Sequence, residues 1–588
     1  MKNLKLLVGL ALVLLAALGV TAAATAQSDE KVVLTVGNPG KLDSPNVTVG
    51  YTIEAYELWN LHYATLTDKA ADDFATVPGL AESWEGSADG LTWTYTLREG
   101  LEWSDGTPLT AEDVAYTINR SRDEEWINHS ATTQNLEASA PDPRTVVIVS
   151  KVPDPKLPTM DVYIVPKHIY EDISADEITK YPGLDFVGSG PFVLSEVKTG
   201  QFWRMTANPR YWGGQPAVDE VVFRTFNNAD AMVAALRAGE IDAAQDVPEE
   251  AFLQLQNEEG IVAVGGQQGG FDELALNAGD GFGKPHPALL DLEFRQAIAH
   301  AFDRETIVDR VYSGLGTVAT TISPSASPEW VPELAEDEIY GFDLDKANLI
   351  LDDAGYTDSD GNGIREYEGE DIVLRYALRT ESQVAKPIYE FVSGWLEEIG
   401  IATEVKGYDD SQLGEVIGKG EYDMFTWGWT PFVDPDPMLS YFTCDQVSTD
   451  PENPTDYYND ASWCNEEYDR LYEEQNQELD RERRIEIVHE MLKLFYRDAT
   501  YFPYAYTGDL QAYRTDRFEG WVRQPAGSGP VIFSNTSPSY ALLTPIASAG
   551  DDGGLSTGGI VAIVVAGLAA LGLAGWYVVR RRTAEERE

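Results

Sequence analysis

Two tryptophans on either side of a glycine form the clearest candidate contact surface in the chain. Trp427 and Trp429 flank Gly428 within an aromatic run. A tryptophan ring offers a flat apolar face that can cover a peptide plane, a sugar ring or a cation. Trp429 in particular is therefore a candidate contact for a small molecule.

A second candidate is an acidic, glycine-containing stretch over residues 358–366. It places oxygen-bearing groups at alternate positions, as calcium loops do. The candidate ligands are Asp358, Asp360, Asn362, the carbonyl group of Ile364, and Glu366. Gly369 stands where such a loop usually has a bidentate glutamate, so the loop must borrow a ligand or bind calcium weakly. The alternative is a hairpin without metal. A bound calcium ion would be structural, and we expect no other cofactor.

Acidic residues far outnumber basic ones. The 588 residues include 98 Asp and Glu against 42 Lys and Arg, a net charge of −56. Such a chain repels phosphate backbones, so we exclude nucleic acid as a partner. Two cysteines are too few for a disulfide scaffold or a cysteine-rich metal site. The absence of a zinc motif or a phosphate loop disfavours an exported hydrolase.

Both ends of the chain carry membrane-related patterns. Residues 1–26 combine two early lysines, an apolar stretch and a small-residue cleavage site, which indicates a secretory signal peptide. Residues 558–579 are uncharged and long enough to cross a hydrocarbon layer of roughly 30 Å as a helix. The arginines that follow predict a cytoplasmic tail over 580–588. With 546–557 as a flexible tether, we expect a single-pass C-terminal anchor in the cell membrane and an extracytoplasmic main domain.

Helix and strand patterns alternate between these ends, which favours an α/β fold. Residues 91–97 alternate large apolar residues with threonine, and 145–149 and 220–226 are further strand candidates. Helices are predicted over 228–238, with asparagine at the cap and glycine beyond the end, and over 480–497.

Several longer phrases occur in a fixed order and are highly specific when taken together. They are GLAESW (79–84), GLTWTYTLR (90–98), WSDGTPLTAEDV (103–114), GSGPF (188–192), NPRYWGG (208–214), ALRAGEID (235–242), FRQAIAHAFDR (294–304), WGW (427–429) and DPD (434–436). On these residues the chain resembles the extracytoplasmic solute-binding proteins of ABC importers, in the dipeptide- and oligopeptide-binding family 5. The resemblance covers roughly residues 32–525.

The resemblance implies a large, two-lobed α/β clamshell of the periplasmic-binding-protein type (cluster C), with the ligand enclosed between the lobes. Lobe I would comprise residues 28–275 and a return segment over 505–545, and lobe II would comprise residues 276–504. Closure would be a hinge motion about crossing segments near 274–277 and 502–506.

Peptide-binding relatives also suggest roles for one acid and two arginines. In them an aspartate shortly after the tryptophan holds the peptide ammonium, but Pro431 and Phe432 follow Thr430 here. The next acid is Asp434, so either Asp434 reaches the ligand, or the ligand has no free amine and Asp434 only caps a turn.

The two arginines are Arg375 and Arg379, which lie where a basic residue of the relatives pairs with a ligand carboxylate. A guanidinium group suits that task, and a surface salt bridge is the alternative.

Cys444 and Cys464 are twenty residues apart, and dipeptide-binding relatives carry a similar pair. On an exported chain we predict one disulfide, with two free thiols as the alternative.

The function implied by the resemblance is a non-enzymatic receptor. It would capture an oligopeptide- or dipeptide-like solute outside the cell and deliver it to the ABC permease subunits, and we expect a monomeric ectodomain. An oligosaccharide or another small solute is the alternative ligand within the same fold. A ligand sensor is disfavoured because a cytoplasmic tail over 580–588 is too short to signal alone.

Overall fold

The computed structural model describes residues 31–546, except 127–128, 185, 280–282, 324–326, 337, 430–433, 449–458 and 533–535, and except the side chains of 130–131 and 267–269. The predicted signal peptide, transmembrane segment and cytoplasmic tail lie outside the described residues, as does nearly all of the predicted tether. Within the described part of the chain, no helix combines the length and the apolar character that a membrane span needs. The anchor stays a prediction.

Strands and helices alternate along the chain, as the sequence pattern predicts. The strands are β1 (Val33–Asn38), β2 (Thr67–Lys69), β3 (Thr76–Pro78), β4 (Ala81–Gly86), β5 (Thr92–Leu97), β6 (Leu136–Asp142), β7 (Thr145–Ser150), β8 (Phe192–Lys198), β9 (Phe202–Ala207), β10 (Glu220–Thr225), β11 (Ala243–Ala244), β12 (Ile261–Leu276), β13 (Thr317–Val318), β14 (Glu366–Tyr367), β15 (Glu370–Asp371), β16 (Val373–Arg379), β17 (Ala402–Tyr408), β18 (Met424–Trp429), β19 (Tyr501–Arg514), β20 (Phe518–Glu519) and β21 (Thr544–Pro545).

The α-helices lie between these strands or pack on their faces. They are α1 (Ile53–His62), α2 (Ala111–Asp123), α3 (Ser130–Thr133), α4 (Lys167–Tyr170), α5 (Ala175–Ile178), α6 (Ala229–Ala238), α7 (Glu249–Leu255), α8 (Leu292–His300), α9 (Arg304–Arg310), α10 (Leu344–Asp353), α11 (Ala385–Glu398), α12 (Asp410–Gly418), α13 (Asp436–Ser440), α14 (Glu466–Gln477), α15 (Arg481–Arg497) and α16 (Pro538–Leu542).

Local sequence signals explain several of these elements. The predicted strands are observed as β5, β7 and β10, each within a residue of the predicted bounds. The Asn228 side chain accepts the backbone N–H of Ala231 at the start of α6, and Gly239 ends that helix at a φ of 73°, which favours glycine. Asp480 caps α15 in the same way by accepting the N–H of Arg483. These helix predictions are confirmed.

One mixed sheet extends through both halves of the molecule. Its strand order is β17–β16–β18–β12–β19–β11–β1–β10–β9–β8, with β13 paired to β19. A separate antiparallel sheet has the order β4–β5–β7–β6. The large sheet therefore sets the orientation of the two halves relative to each other.

Buried apolar side chains divide the molecule into two parts. One set of cores uses residues between 34 and 264, together with residues between 512 and 543 from the returning chain. The other set uses residues between 271 and 506. We call the first part lobe I and the second part lobe II.

Strands β12 and β19 carry the chain between the lobes. They pair antiparallel over most of their length, with a register shift between Gln267 and Phe271. Leu274, Leu276 and Phe502 are buried in the core of lobe II. The crossing segments predicted near 274–277 and 502–506 therefore belong to lobe II, and the structure moves the crossing point toward the register shift.

The cysteine pair behaves as predicted. Cys444 and Cys464 are joined by a disulfide bond. It ties a short helical turn after α13 to the segment just before α14, and so fixes the two ends of the chain segment between them. On the chain-entropy estimate, a loop of this size gives about 3 kcal/mol of stabilisation.

Candidate functional site

The strand directions in lobe II place its candidate site. Strand β16 runs parallel to β18, and β12 runs antiparallel to β18 with Phe271 opposite Trp429. Because β12 comes from lobe I and enters lobe II at its Phe271 end, the carboxyl ends of β16 and β18 face lobe I. Arg379 and Trp429 are the last residues of these strands.

The strands of lobe I point the opposite way. Strand β1 pairs parallel with β10 and β11, and β11 pairs antiparallel with β19, with Ala244 opposite Ala512. Strand β19 runs from lobe II into lobe I, so the carboxyl end of β11 faces lobe II. Ligands of open α/β sheets bind beyond the carboxyl ends of the strands. The space between the two facing edges is therefore the candidate site.

The lobes touch at the rim of this space. The Lys156 ammonium of lobe I donates to the Asp436 carboxylate at 2.8 Å and to the Asn476 side-chain oxygen at 2.7 Å, and both acceptors belong to lobe II. The two lobes are therefore in direct contact through the Lys156 side chain in this structure.

Aromatic side chains form the lobe II edge. The Arg379 guanidinium lies over the Trp427 ring at 4.2 Å from its centroid and also makes two hydrogen bonds, of 2.7 and 2.6 Å, to Asp410. Trp429 is half-buried, its Nε1 donates to the Tyr501 hydroxyl at 2.8 Å, and its ring packs on Tyr441. The protein thus fixes both predicted tryptophans at the facing edge.

Arg375 and Asp434 have other partners than those the resemblance suggests. Both guanidinium ends of Arg375 donate to the buried Asp423 carboxylate, at 2.9 and 2.8 Å, from the half of β16 that is remote from the edge. Arg484 donates two hydrogen bonds of 2.7 Å to Asp434, which also accepts the N–H of Asp436. The salt-bridge interpretation of Arg375 and Arg379 and the turn-capping interpretation of Asp434 fit this geometry, and their ligand contacts stay predictions.

The electrostatics of Asp434 agree with a structural role for its ion pair with Arg484. Burial alone would raise the pKa of Asp434, but the hydrogen bonds and the charge of Arg484 outweigh burial and lower it. A carboxylate that already holds a guanidinium in two hydrogen bonds has no unmet need for a ligand cation.

Buried acids lie behind the tryptophans. Glu273 of β12 is fully buried, and burial, together with the charges of Asp460 and Asp272, raises its pKa well above the ordinary value. Burial raises the pKa of Asp460 to about 7, although the Tyr501 hydroxyl donates to this carboxylate at 3.2 Å. The Trp429 indole N–H is thus linked through the Tyr501 hydroxyl to the Asp460 carboxylate.

Asp272 points to the other face of β12, toward lobe II helices. The Tyr312 hydroxyl donates to its carboxylate. Burial raises the pKa of Asp272 to about 6, while the Tyr312 hydrogen bond and the Arg379 charge oppose the shift. Asp272 thus has a hydroxyl and a guanidinium group nearby, whereas neither buried oxygen of Glu273 accepts a hydrogen bond from a described group.

The lobe I edge is acidic. Glu57 of α1 is 2% exposed; its Oε1 accepts from Gln245 Nε2 at 2.9 Å and from the Tyr540 hydroxyl. Glu57 Oε2 and Gln245 Oε1 are buried and accept no hydrogen bond within the described part of the chain. Burial raises the pKa of Glu57 to about 8, and the charges of Glu54 and Asp246 add to the shift.

Comparison with known proteins places this geometry in a family. Residues 75–450 match the family model of bacterial extracellular solute-binding proteins, family 5 (middle region). The chain belongs to this family. As a family 5 solute-binding protein, it has a ligand-binding domain of the extracytoplasmic kind.

Relatives and solved structures agree with this assignment. A peptide-binding protein of an ABC transporter from Brucella ovis is 32% identical over 292 residues, 49% of this chain and 53% of the relative, so the match spans about half the length of that protein. The nickel-binding periplasmic protein of Escherichia coli is 25% identical over 406 residues, 66% of this chain and 74% of the relative. The ABC transporter substrate-binding protein CtaP of Listeria monocytogenes has the same fold, with a TM-score of 0.73 and 24% identity over 88% of this chain and 99% of that one.

Sequence reasoning missed the acids of this solute-binding protein that are most perturbed. Glu57 and Glu273 each stand inside a mostly apolar run, within α1 and near the end of β12. An acid inside an apolar run is a usable signal, because a buried charge needs a partner or a shifted pKa. Asp246 carries no such signal, since it follows a strand of only two residues.

The predicted calcium loop lies at the opposite end of β16 from the facing edge. Oxygen atoms of Asp358, Asp360 and Glu366 lie within 4.8 Å of one another; the two aspartates lie in the turn that leads into β14, and Glu366 is the first residue of β14. The Asn362 amide donates to both carboxylate oxygens of Asp371, at 3.1 and 3.0 Å. Asp371 therefore contacts the predicted loop through Asn362 without joining the group of three carboxylates, and calcium binding stays a prediction.

Proposed function

We propose that this protein is the substrate-binding component of an ABC importer and that it captures an oligopeptide- or dipeptide-like solute outside the cell. The observation that carries the proposal is the pair of facing strand edges, one aromatic and one acidic, in a family 5 solute-binding protein. The solute would lie between the edges, and closure about β12 and β19 would enclose it.

The lobe II edge supports a peptide-like solute. Trp429 presents an aromatic ring that is held from behind by Tyr501, and Trp427 is covered by the Arg379 guanidinium. Rigid aromatic faces of this kind can lie against peptide planes and apolar side chains. The peptide-binding relative from Brucella ovis is in keeping with the same ligand class.

A bare metal ion is less well supported as the solute. Among the described residues, one group of three carboxylates comes within 4.8 Å, and it lies in the loop formed by Asp358, Asp360 and Glu366. That loop is at the far end of β16 from the facing edges. Among the described residues, the acids of the two edges form no such group. The similarity to a nickel-binding protein is therefore not accompanied by a set of metal ligands at the edges.

We infer further that the protein is a receptor and carries no enzymatic activity of its own. It would release its solute to permease subunits in the membrane, and the ectodomain would act as a monomer. The family assignment supports the extracytoplasmic placement of the binding domain. The predicted anchor over residues 558–579 would keep this domain close to the permease.

Isothermal titration of the purified full-length chain with short peptides tests the proposal. We expect binding of peptides and not of oligosaccharides, with Trp429→Ala weakening binding by about 1–3 kcal/mol through lost apolar contact. The matched control is Phe342→Ala, because Phe342 is an aromatic residue of lobe II, 44% exposed, that packs on Trp395. Binding of sugars alone, or equal peptide binding by wild type and Trp429→Ala, would contradict the peptide proposal.

A further inference from the structure

The two edges of the site differ in how their acids are compensated. In lobe II, Asp410 and Asp434 each hold an arginine through two hydrogen bonds. In lobe I, no salt bridge joins Glu54, Glu57 or Asp246 to a basic side chain within the described residues. These lobe I carboxyl groups therefore have no built-in cation; the same holds in lobe II for Glu273, whose two buried oxygens accept no hydrogen bond from a described group.

These lobe I acids are close enough to act on one another. The charges of Glu54 and Asp246 both raise the pKa of Glu57, and the charge of Asp246 raises that of Glu54 as well. Asp509, on the crossing strand β19, feels the charges of Asp246 and Glu57. Carboxyl groups that influence one another therefore lie at the carboxyl end of β11, on α1 and on the adjoining part of β19.

A second observation concerns buried hydrogen-bond acceptors at the lobe I edge. Glu57 Oε2 and Gln245 Oε1 are both buried acceptor atoms, and neither receives a hydrogen bond from any described group. A buried acceptor without a donor costs free energy of the order of 1–3 kcal/mol. Gln245 Oε1 therefore requires a hydrogen-bond donor. Glu57 holds a proton at neutral pH in the empty protein, and a bound cation could take the place of that proton beside the Glu57 carboxylate.

Asp246 and Glu57 differ in how far they are exposed. Asp246 is exposed immediately beyond Gln245, where β11 ends and faces lobe II. Glu57 lies deeper, at 2% exposure. A cation that enters between the lobes would meet Asp246 first and could then donate hydrogen bonds to Glu57 and Gln245.

We propose that the solute carries a positively charged side chain, an ammonium or guanidinium group, and that Glu57, Gln245 and Asp246 of lobe I receive it. This inference rests on the proposed function and narrows it to basic peptides. Nitrogen cations fit better than a metal ion, because these carboxylates do not come within 4.8 Å of one another as a group of three, as judged from the described residues. An ammonium or guanidinium group, in contrast, offers several spaced donors.

The test uses three peptides of equal length and sequence that differ only at the central residue: lysine, glutamine or glutamate. Titration of the full-length chain should show at least tenfold tighter binding of the lysine peptide than of the glutamine peptide, and weaker binding still of the glutamate peptide. The preference should persist at about 1 M salt, because buried contacts are screened less than exposed ones.

Three single variants test which residues cause the preference for the lysine peptide. Glu57→Gln and Asp246→Asn should each reduce the preference for lysine over glutamine to less than threefold. Glu259→Gln is the matched control, since Glu259 is an exposed acid of lobe I outside the edge, and it should keep the preference. Glu57→Gln preserves the shape of the side chain, so a folded variant is expected, and its thermal unfolding is measured alongside.

The outcomes separate this inference from the proposed function. Equal binding of all three peptides would overturn the inference and leave the peptide receptor intact, and so would an unchanged lysine preference in Glu57→Gln. Binding of spermidine, but of no peptide, that is lost in Glu57→Gln would support the cation site and contradict the peptide receptor. Binding of nickel ions that Glu57→Gln abolishes would replace the nitrogen cation by a metal, and binding of none of these probes would overturn both proposals.

Discussion

Asp434 and Glu57 are acids of the same site region with opposite electrostatics. Asp434, in lobe II, holds Arg484 through two hydrogen bonds, and its pKa is lowered although burial opposes this. Glu57, in lobe I, has neutral donors on one oxygen and none described on the other, and burial raises its pKa to about 8. The protein thus supplies a counter-charge for Asp434 but none for Glu57.

From this difference we infer a structural role for Asp434 and a ligand-binding role for Glu57. A carboxylate with a built-in guanidinium fixes the segments that it joins, here the residues just before α13 and helix α15. A buried carboxyl group without a cation stays protonated at neutral pH in the empty protein, and a charged solute could take the place of that proton. On our proposal, Asp434 therefore serves the structure of lobe II, whereas Glu57 is available to the solute.

The largest expected effect comes from breaking the lobe II pair. Arg484→Met leaves Asp434 without its counter-charge and should lower the free energy of unfolding by about 3–5 kcal/mol, measured by urea denaturation. The neighbouring Arg483 is the matched control. Its ion pairs with Glu474 and Glu486 are exposed, so Arg483→Met should leave the denaturation midpoint nearly unchanged. Equal effects of the two substitutions would show that the Asp434–Arg484 pair is not the structural contact described here.

The lobe I acid should appear as a pH dependence of stability. Glu57 ionises at 4.5 in the unfolded chain and at about 8 in the folded protein. Between these values the folded state binds the extra proton, so stability should fall as pH rises, by at most about 1.4 kcal/mol per pH unit, and the fall should end above pH 8. Glu57→Gln should flatten this slope relative to wild type.

Comparing the pH dependence of stability in wild type and in Glu57→Gln separates the effect of Glu57 from that of other acids whose pKa is raised. Its electrostatic neighbours are Glu54 on the same helix, Asp246 after β11, Asp509 on β19 and Tyr540 on α16, and all of them remain in the variant. Urea denaturation at a series of pH values measures both proteins. Parallel slopes for wild type and Glu57→Gln would contradict the raised pKa.

The smallest expected effect concerns exposed acids. If Asp358, Asp360 and Glu366 bind calcium, chelation should lower the melting temperature by roughly 1–2 °C, since the loop is remote from the cores. Asp360→Ala should abolish that response, whereas Asp352→Ala, at an exposed acid of the adjacent helix α10, should preserve it. An identical melting temperature with and without calcium would leave a plain hairpin.

The sequence predicted the fold better than the site. Family phrases such as WSDGTPLTAEDV and helix caps such as Asn228 act locally, and the structure forms the corresponding elements. The position of the crossing point was predicted too far along β12, because an apolar strand looks the same inside a lobe and between two lobes. Leu274 and Leu276 are buried in lobe II for that reason.

The site was only partly predictable because ion pairs join residues that are far apart in sequence. Trp429 was predicted from its own chemistry, and it lies at the facing edge. Asp434 was predicted as the acid of the site, but Arg484 is fifty residues further along, and no local pattern reveals that pair. Glu57 and Gln245 are likewise brought together only by the sheet and by α1.

The most direct test of the account is the identity of the solute that the protein carries. Native mass spectrometry of the full-length chain, purified without denaturant, would measure the mass of any bound molecule, and fragmentation would identify it. We predict a peptide that contains lysine or arginine, present on wild type and depleted on both Trp429→Ala and Glu57→Gln. An oligosaccharide, a metal complex, or a peptide retained equally by all three proteins would contradict the central claim that the two facing edges hold a basic peptide.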